Sequence, residues 1–179
     1  YVKNKSIKAG QVGIISTVKK LDTTVSEKEL LKLISFYNQD VDVDGILLQL
    51  PIPQQINSEK VIDAISFEKD VDGFNSRNIG LLALGRPNVI PCTPLGCLKL
   101  LKIETNLSGK NIIIVGRSNI VGRPLSFLLT NENATVTLAH SKTKNLKTLC
   151  SNKDVIIAAT GIPKMIKKDW IKENVIIID

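Results

Sequence analysis

The sequence predicts an α/β chain of two domains, the second a doubly wound parallel sheet, and three observations carry that prediction. Short runs rich in β-branched residues recur at 112–115, 134–139, 155–159 and 175–178 and alternate with helix-length segments. The first run ends at Gly116 and leads at once into an amphipathic pattern near Gly122, the arrangement that presents helix N-terminal amides to a phosphate. The charge is uneven, with 11 Lys+Arg against 11 Asp+Glu in residues 1–97 but 13 against 6 in residues 98–179. The whole net charge of +7 therefore lies in the second half, where it would steer a polyanionic ligand.

Along the chain, residues 1–9 read as a helix and 12–18, with Val12, Ile14, Ile15 and Val18, as a strand. Residues 26–37 read as a helix, because Ser26 and Glu29 have capping-box spacing and Leu30, Leu31, Leu33 and Ile34 supply an apolar face. The run 45–50 reads as a buried strand stopped by Pro51 and Pro53, and 58–65 as a helix capped by Ser58. The first half is thus expected to hold a small parallel sheet with crossover helices. Pro91, Pro94 and Gly96 punctuate the chain before a helix from about Cys97 to Ile103, which places a domain junction near 92–106 and domains at 1–97 and 98–179.

The turn after residue 115 reads Gly-x-Ser-x-x-x-Gly, from Gly116 through Ser118 to Gly122, which meets the dinucleotide fingerprint in part. A site for NAD places a carboxylate near the end of the second strand, about 20 residues on. Here that strand ends in His140, Ser141, Lys142 and Thr143, with no acid. Hydroxyls and a lysine suit an extra phosphate, with Arg117 as its partner, so NADP is expected and the second domain reads as Rossmann-like.

Composition narrows the class. With 43% apolar and 23% charged residues the chain is of globular type, and no apolar run approaches a membrane span or forms a signal-peptide pattern. A cytoplasmic location, with an organelle matrix as the alternative, is expected, and no membrane partner. Cys92, Cys97 and Cys150 lack paired spacing and His140 is the only histidine, so reduced thiols and no metal site are expected. Aromatic content of 4% leaves no stacking platform for nucleic acid.

Three segments suggest chemistry. Tyr1 and Lys5 stand at i and i+4 on one helix face, a ring beside an amine. Gln49 is polar within an apolar run near its C-terminal end, the end that borders the ligand crevice in open α/β sheets. Asp70 and Asp72 put two carboxylates in one turn, open to metal binding or to pairing with lysines.

The segments YVKNKSIKA (1–9), DGILLQLPIP (44–53), EKDVDGFN (68–75), PCTPLG (91–96), GKNIIIVGRSNIVGRP (109–124), ATVTLAHSKT (134–143) and DVIIAATGIP (154–163) occur in this order. Together they resemble the bifunctional methylenetetrahydrofolate dehydrogenase/methenyltetrahydrofolate cyclohydrolase family. The resemblance implies two α/β domains flanking a cleft, oxidation of methylenetetrahydrofolate with NADP, and hydrolysis of the methenyl product to formyltetrahydrofolate, in the one-carbon metabolism that serves purine biosynthesis. It makes Lys5 the catalytic lysine, Tyr1 the ring that stacks on folate, Gln49 the neighbour that tunes Lys5, and Asp72 a pterin-binding carboxylate. Asp70 orients the loop. Gly116, Arg117, Ser118 and Ser141 would hold NADP, with Thr93 and Gly161 at the edge of that site. A homodimer formed through the cofactor half is implied as well.

Lysine is a poor base at neutral pH, so a proton-accepting Lys5 requires burial or a cationic neighbour. Asn75 stands where many members have histidine, a variation that does not by itself exclude activity, while the family carries a serine three residues before the position of Tyr1 and a glycine-rich segment beyond Asp179. The chain is therefore expected to be cut at both ends, and the span itself to be inactive. A monofunctional dehydrogenase of the same family, and a non-catalytic dinucleotide- or nucleic-acid-binding module, are the competing readings.

Overall fold

The computed structural model describes residues 2–179. Helix α1 (Val2–Gln11) leads into an extended segment, and α2 (Glu27–Gln39), α3 (Ser58–Ala64), α4 (Ser76–Ala83) and α5 (Cys92–Glu104) follow. Strand β1 (Asn111–Val115), helix α6 (Gly122–Asn131), β2 (Thr135–Ala139), α7 (Leu146–Cys150), β3 (Val155–Ala158), a 3-10 turn at Lys168–Trp170 and β4 (Ile176–Ile178) complete the chain.

The four strands form one parallel sheet in the order β2-β1-β3-β4. Its centre is β1, a continuous apolar run because both of its faces are covered. Ile112 and Ile114 pack with Leu125 and Leu129 of α6 and with Leu98 and Leu101 of α5. Ile113 and Val115 face Ile156, Cys150 and Ala139, behind which lie Leu146 and Trp170. Helices therefore cover both faces, the doubly wound arrangement that alternating strands and helices predict. Leu82 of α4 is also fully buried in the first of these cores, so α4 and α5 pack on the sheet although both begin before residue 97.

Three local readings hold and several are corrected. Ser26 and Glu29 form the expected capping box: the Ser26 hydroxyl accepts from the Glu29 amide at 3.2 Å, and the Ser26 amide donates to the Glu29 carboxylate at 2.9 Å. Strands β1 and β3 lie at the expected positions. Helix α3 is capped by Asn57 instead of Ser58, its side-chain oxygen accepting from the Lys60 amide at 3.1 Å. Helix α5 starts at Cys92, five residues before Cys97, since Pro94 falls in the first turn, where its missing N–H is harmless. Helix α4 lacked a sequence reading, and Asn75 caps it by accepting from the Arg77 amide at 2.9 Å.

The expected sheet of the first half is absent from the described residues. Residues 12–20 are exposed throughout, Ile15 at 96%, and form no strand. The run 45–50 makes a single parallel bridge between Ile46 and Asp70, through the Ile46 amide and the Lys69 carbonyl at 2.7 Å. Strand propensity is realised only where a neighbouring backbone completes the ladder, and here neither run has one beside it along its length. This half is held by helices instead: Leu30, Ile34, Ile56, Val61 and Ile65 are buried together, with Ile46 and Leu48 packed on them.

A buried polar knot replaces the ladder. Asp70, 3% exposed, accepts from the Gly73 amide at 3.0 Å, the Asn75 amide at 2.8 Å and the Asn78 side chain at 2.8 Å. The Asn75 side chain donates in turn to the Ile65 carbonyl at 3.1 Å, tying the 70–75 turn to the end of α3. Beside it, the Lys69 ammonium donates to the Tyr37 and Asp40 carbonyls at 3.0 and 2.6 Å, closing the C-terminal end of α2. The knot thus links α2, α3 and α4 around one carboxylate.

Asp70→Ala leaves three buried donors without an acceptor and is expected to cost roughly 3 kcal/mol or more, read as a lower denaturation midpoint by circular dichroism. A glycine pair tests the second half. A Cβ on Gly122 would run into the Gly116 carbonyl, whereas one on Gly80 in α4 meets nothing within 4 Å. Gly122→Ala is expected to lower stability by about 1–3 kcal/mol through overpacking, and Gly80→Ala to raise it by about 0.5–1 kcal/mol through helix propensity. Thermal melts of the two variants that shifted in the same direction would contradict this.

Candidate functional site

Two groups of side chains stand out, one on each half of the chain. In the first, Lys5 projects from α1, and its ammonium donates to the Gln49 side-chain oxygen at 3.3 Å, across 44 residues of sequence. The other end of the Gln49 amide donates to the Leu50 carbonyl at 2.9 Å, which fixes the amide so that its oxygen faces the lysine. Lys5 is partly buried and Gln49 exposed, so the pair opens to the surface.

Asp72 belongs to the same cluster. It sits in the turn that Asp70 clamps on both sides, through Gly73 and Asn75. Burial pushes its carboxyl above the usual aspartate range; the charge of Lys5 opposes the shift and that of Asp70 adds to it. An amine and an oriented amide are thus hydrogen-bonded, with a desolvated carboxyl within reach of the amine's charge, whereas Asp70 is occupied by backbone and Asn78 donors and acts on the loop. Tyr1 lies outside the described residues.

The second group lines the carboxyl end of the parallel sheet. Val115 is in register with Ala139 on β2 and with Ala158 on β3, so the segments after 115, 139 and 158 emerge side by side. Gly116, Arg117 and Ser118 follow β1, Ser141 follows β2 and Gly161 follows β3. The chain passes from β1 to β2 on one side and back over β1 to β3 on the other, and such a switch point is where open α/β sheets hold ligands. Gly116 has φ 133°, and a Cβ there would strike the Ala159 carbonyl, so only glycine lets β1 turn so close to β3.

The expectation that free amides at the start of α6 face a phosphate is corrected. The first amides of α6 are already engaged: the Ser118 hydroxyl accepts from Val121 and Gly122 at 3.2 and 3.4 Å, and the Ser118 carbonyl accepts from Arg123 at 3.1 Å. With its oxygen accepting from these amides, the Ser118 hydroxyl retains its own hydrogen for a ligand. Arg117 and Ser141 are exposed, and Thr93 is exposed in the first turn of α5. Gly161 has φ 65° in an exposed turn.

The two halves touch beside this turn, where the Asn119 side chain donates to Glu59 of α3 at 3.3 Å. Sequence reading missed that contact, and also Asn78, which is fully buried beneath Asp70. A polar residue among Ile79, Leu81 and Leu82 was the signal for Asn78; nothing local marks Asn119 or Glu59, which lie 60 residues apart.

Comparison with known proteins gives the family of both halves. The profile of the tetrahydrofolate dehydrogenase/cyclohydrolase catalytic domain matches residues 1–72, and that of the NAD(P)-binding domain of the same family matches residues 91–179. Proteins named bifunctional protein FolD are similar over the whole chain, at 48% identity in Listeria innocua and 50% in a Wolbachia of Drosophila simulans. The chain covers 63% and 62% of those two proteins, so it spans about three fifths of the relatives' length. Among solved structures, the bifunctional FolD enzyme of Campylobacter jejuni superposes with a TM-score of 0.96 at 45% identity, over 100% of this chain and 64% of that one. The Trypanosoma brucei FolD, solved with NADP cofactor and an inhibitor, superposes with a TM-score of 0.91 at 30% identity, over 96% of this chain and 60% of that one. With both domain profiles matched in order and identity near one half along the full chain, this chain belongs to the tetrahydrofolate dehydrogenase/cyclohydrolase family.

Proposed function

We propose that the intact protein oxidises methylenetetrahydrofolate with NADP and hydrolyses the methenyl product to formyltetrahydrofolate, with Lys5, Gln49 and Asp72 as the catalytic and folate-binding cluster. The observation that carries this reading is the Lys5–Gln49 hydrogen bond at 3.3 Å, together with the charge of Lys5 acting on the half-buried Asp72 carboxyl. The names of the relatives and solved structures support it.

The residues at the carboxyl end of the sheet fit a dinucleotide with an extra phosphate. Glycine at 116 and 122 keeps the turn free of side chains that would fill it, and the exposed Arg117, Ser141 and Lys142 offer a guanidinium, a hydroxyl and an ammonium with no carboxylate among residues 140–143. NADP, when bound, supplies the hydride acceptor. Arg117, Ser118 and Ser141 hold its phosphates, and Thr93 and Gly161 border it. The protein's contribution to the redox step is alignment, because hydride transfer between two rings requires no protein nucleophile.

Hydrolysis asks more of the side chains. Water adds to the methenyl carbon, one of the two C–N bonds of the bridge breaks to leave the formyl group on the other nitrogen, and one proton is released overall, a task for a positioned group within hydrogen-bond reach. Lys5 Nζ is the atom assigned to that proton. Gln49, its amide held by the Leu50 carbonyl, keeps the lysine aimed, and Asp72 pairs with the N–H edge of the pterin while its turn is clamped by Asp70. Tyr1 supplies a ring for the folate to stack on. We further place this activity in a cytoplasmic homodimer that supplies one-carbon units for purine biosynthesis. No helix among the described residues is long and apolar enough to cross a membrane.

In the intact protein, Lys5→Ala is expected to slow methenyl hydrolysis by roughly 10²–10⁴-fold while NADP is still reduced. Stopped-flow absorbance of the methenyl intermediate reads both steps, and hydrolysis that survives at the wild-type rate would reject the lysine assignment. Asp72 gives a pH-dependent prediction. Its raised folded-state value means that its stabilising contribution is complete below the ordinary aspartate range and is lost as pH rises through that folded value. Asp72→Asn is therefore expected to melt above wild type at neutral pH, to lose that advantage on acidification below the ordinary aspartate range, and to bind folate more weakly. Melting curves across pH with an unvarying gap would contradict the burial account.

A further inference from the structure

We propose that His140 and Thr143 are positioning residues that set the preference for a 2′-phosphorylated dinucleotide, an inference that rests on the NADP reading above. The four residues after β2 form a turn closed by its own ends. The His140 amide donates to the Thr143 hydroxyl oxygen at 2.9 Å, and the Thr143 amide donates back to the His140 carbonyl at 2.8 Å. Between them, the Lys142 amide donates to His140 Nδ1 at 3.2 Å. Two side chains and one carbonyl thus satisfy three backbone amides inside the turn.

This closure decides which side chains are presented. His140 and Thr143 are partly buried, while Ser141 and Lys142, between them, are exposed. The turn starts immediately after Ala139, which is in register with Val115 and whose carbonyl accepts from the Gly116 amide at 2.9 Å, so Ser141 and Lys142 emerge beside the Gly116–Arg117 turn. A phosphate dianion there needs several donors converging on it, and donors on a preformed turn bind without the entropy of ordering it. A dinucleotide with a plain ribose hydroxyl gains little from the same donors, so loosening the turn weakens NADP far more than NAD. Neither His140 nor Thr143 need touch the ligand.

The role of each atom can be separated by substitution. His140→Ala removes the acceptor for the Lys142 amide, whereas His140→Asn restores an acceptor on the same Cγ that carries Nδ1. Thr143→Val removes the acceptor for the His140 amide at constant size, and Thr143→Ser restores it. Steady-state kinetics of the intact protein with NADP and with NAD are the test, with circular dichroism melts to establish that each variant is folded. We expect His140→Ala and Thr143→Val to raise KM for NADP by roughly tenfold, the effect of losing one charge-assisted hydrogen bond. KM for NAD and kcat should stay within about twofold, and the Asn and Ser variants should recover most of the loss. The proposal is overturned if KM for NADP does not rise, if both cofactors weaken together, or if the Asn and Ser variants behave like Ala and Val. A wild-type protein with no preference for NADP would overturn the cofactor reading itself, and this inference with it, and is distinguishable because it shows before any substitution is made.

Discussion

Strand β1 is buried on both faces, and its parallel pairing with β2 and β3 brings the ends of all three strands to one level, from which the turns of the cofactor half emerge. Each fully buried isoleucine of β1 contributes about 1.5–3 kcal/mol relative to exposure, and the core they form orders α5 and α6 against the sheet. The same packing forces a backbone constraint. With Val115 bonded through its carbonyl to the Ala159 amide at 2.8 Å, the next residue lies against Ala159, and only glycine at 116 avoids the collision. The place proposed for the dinucleotide is thus a consequence of how the sheet is packed and where its strand order reverses.

The first half achieves precision differently. In place of a ladder, one buried carboxylate gathers a turn by accepting from Gly73, Asn75 and Asn78, and Lys69 ties the preceding residue to the end of α2. Such a knot stabilises only while every donor is met, because an unmatched buried N–H costs more than a matched one contributes. Its effect on the site is to hold Asp72 beside Lys5 and Gln49. Asp72 itself is partly desolvated, which raises its carboxyl and works against stability at neutral pH. The clamp and the desolvated carboxyl are two sides of one arrangement: the stability of Asp70's network offsets the cost of burying Asp72 in the same turn.

The sheet half was legible to the extent that local patterns suffice. β-Branched runs ending in glycine and alternating with amphipathic segments specify both the strands and their order of succession, and Ser26 with Glu29 marks a helix start, because those signals act within a few residues. The absence of an acid after β2 likewise points to an extra phosphate from local residues alone. The first half was less legible for the converse reason. Residues 12–18 have strand composition, yet a strand exists only with a partner beside it, and the single bridge from Ile46 to Asp70 is all that forms among the described residues.

By itself, then, the sequence determined the α/β class, the four strands, the family and the residue types at the site, since each rests on local pattern or on segments held in order. Only the tertiary structure decided that Lys5 meets Gln49 across 44 residues, that Asp70 faces inward to Gly73, Asn75 and Asn78, and that Ser118 caps α6 with its own hydroxyl. It also decided that Asn119 reaches Glu59 across 60 residues. The physical reason is that hydrogen bonds and burial depend on distances between groups remote in sequence, which no local periodicity encodes, whereas backbone preference and apolar spacing are properties of neighbouring residues.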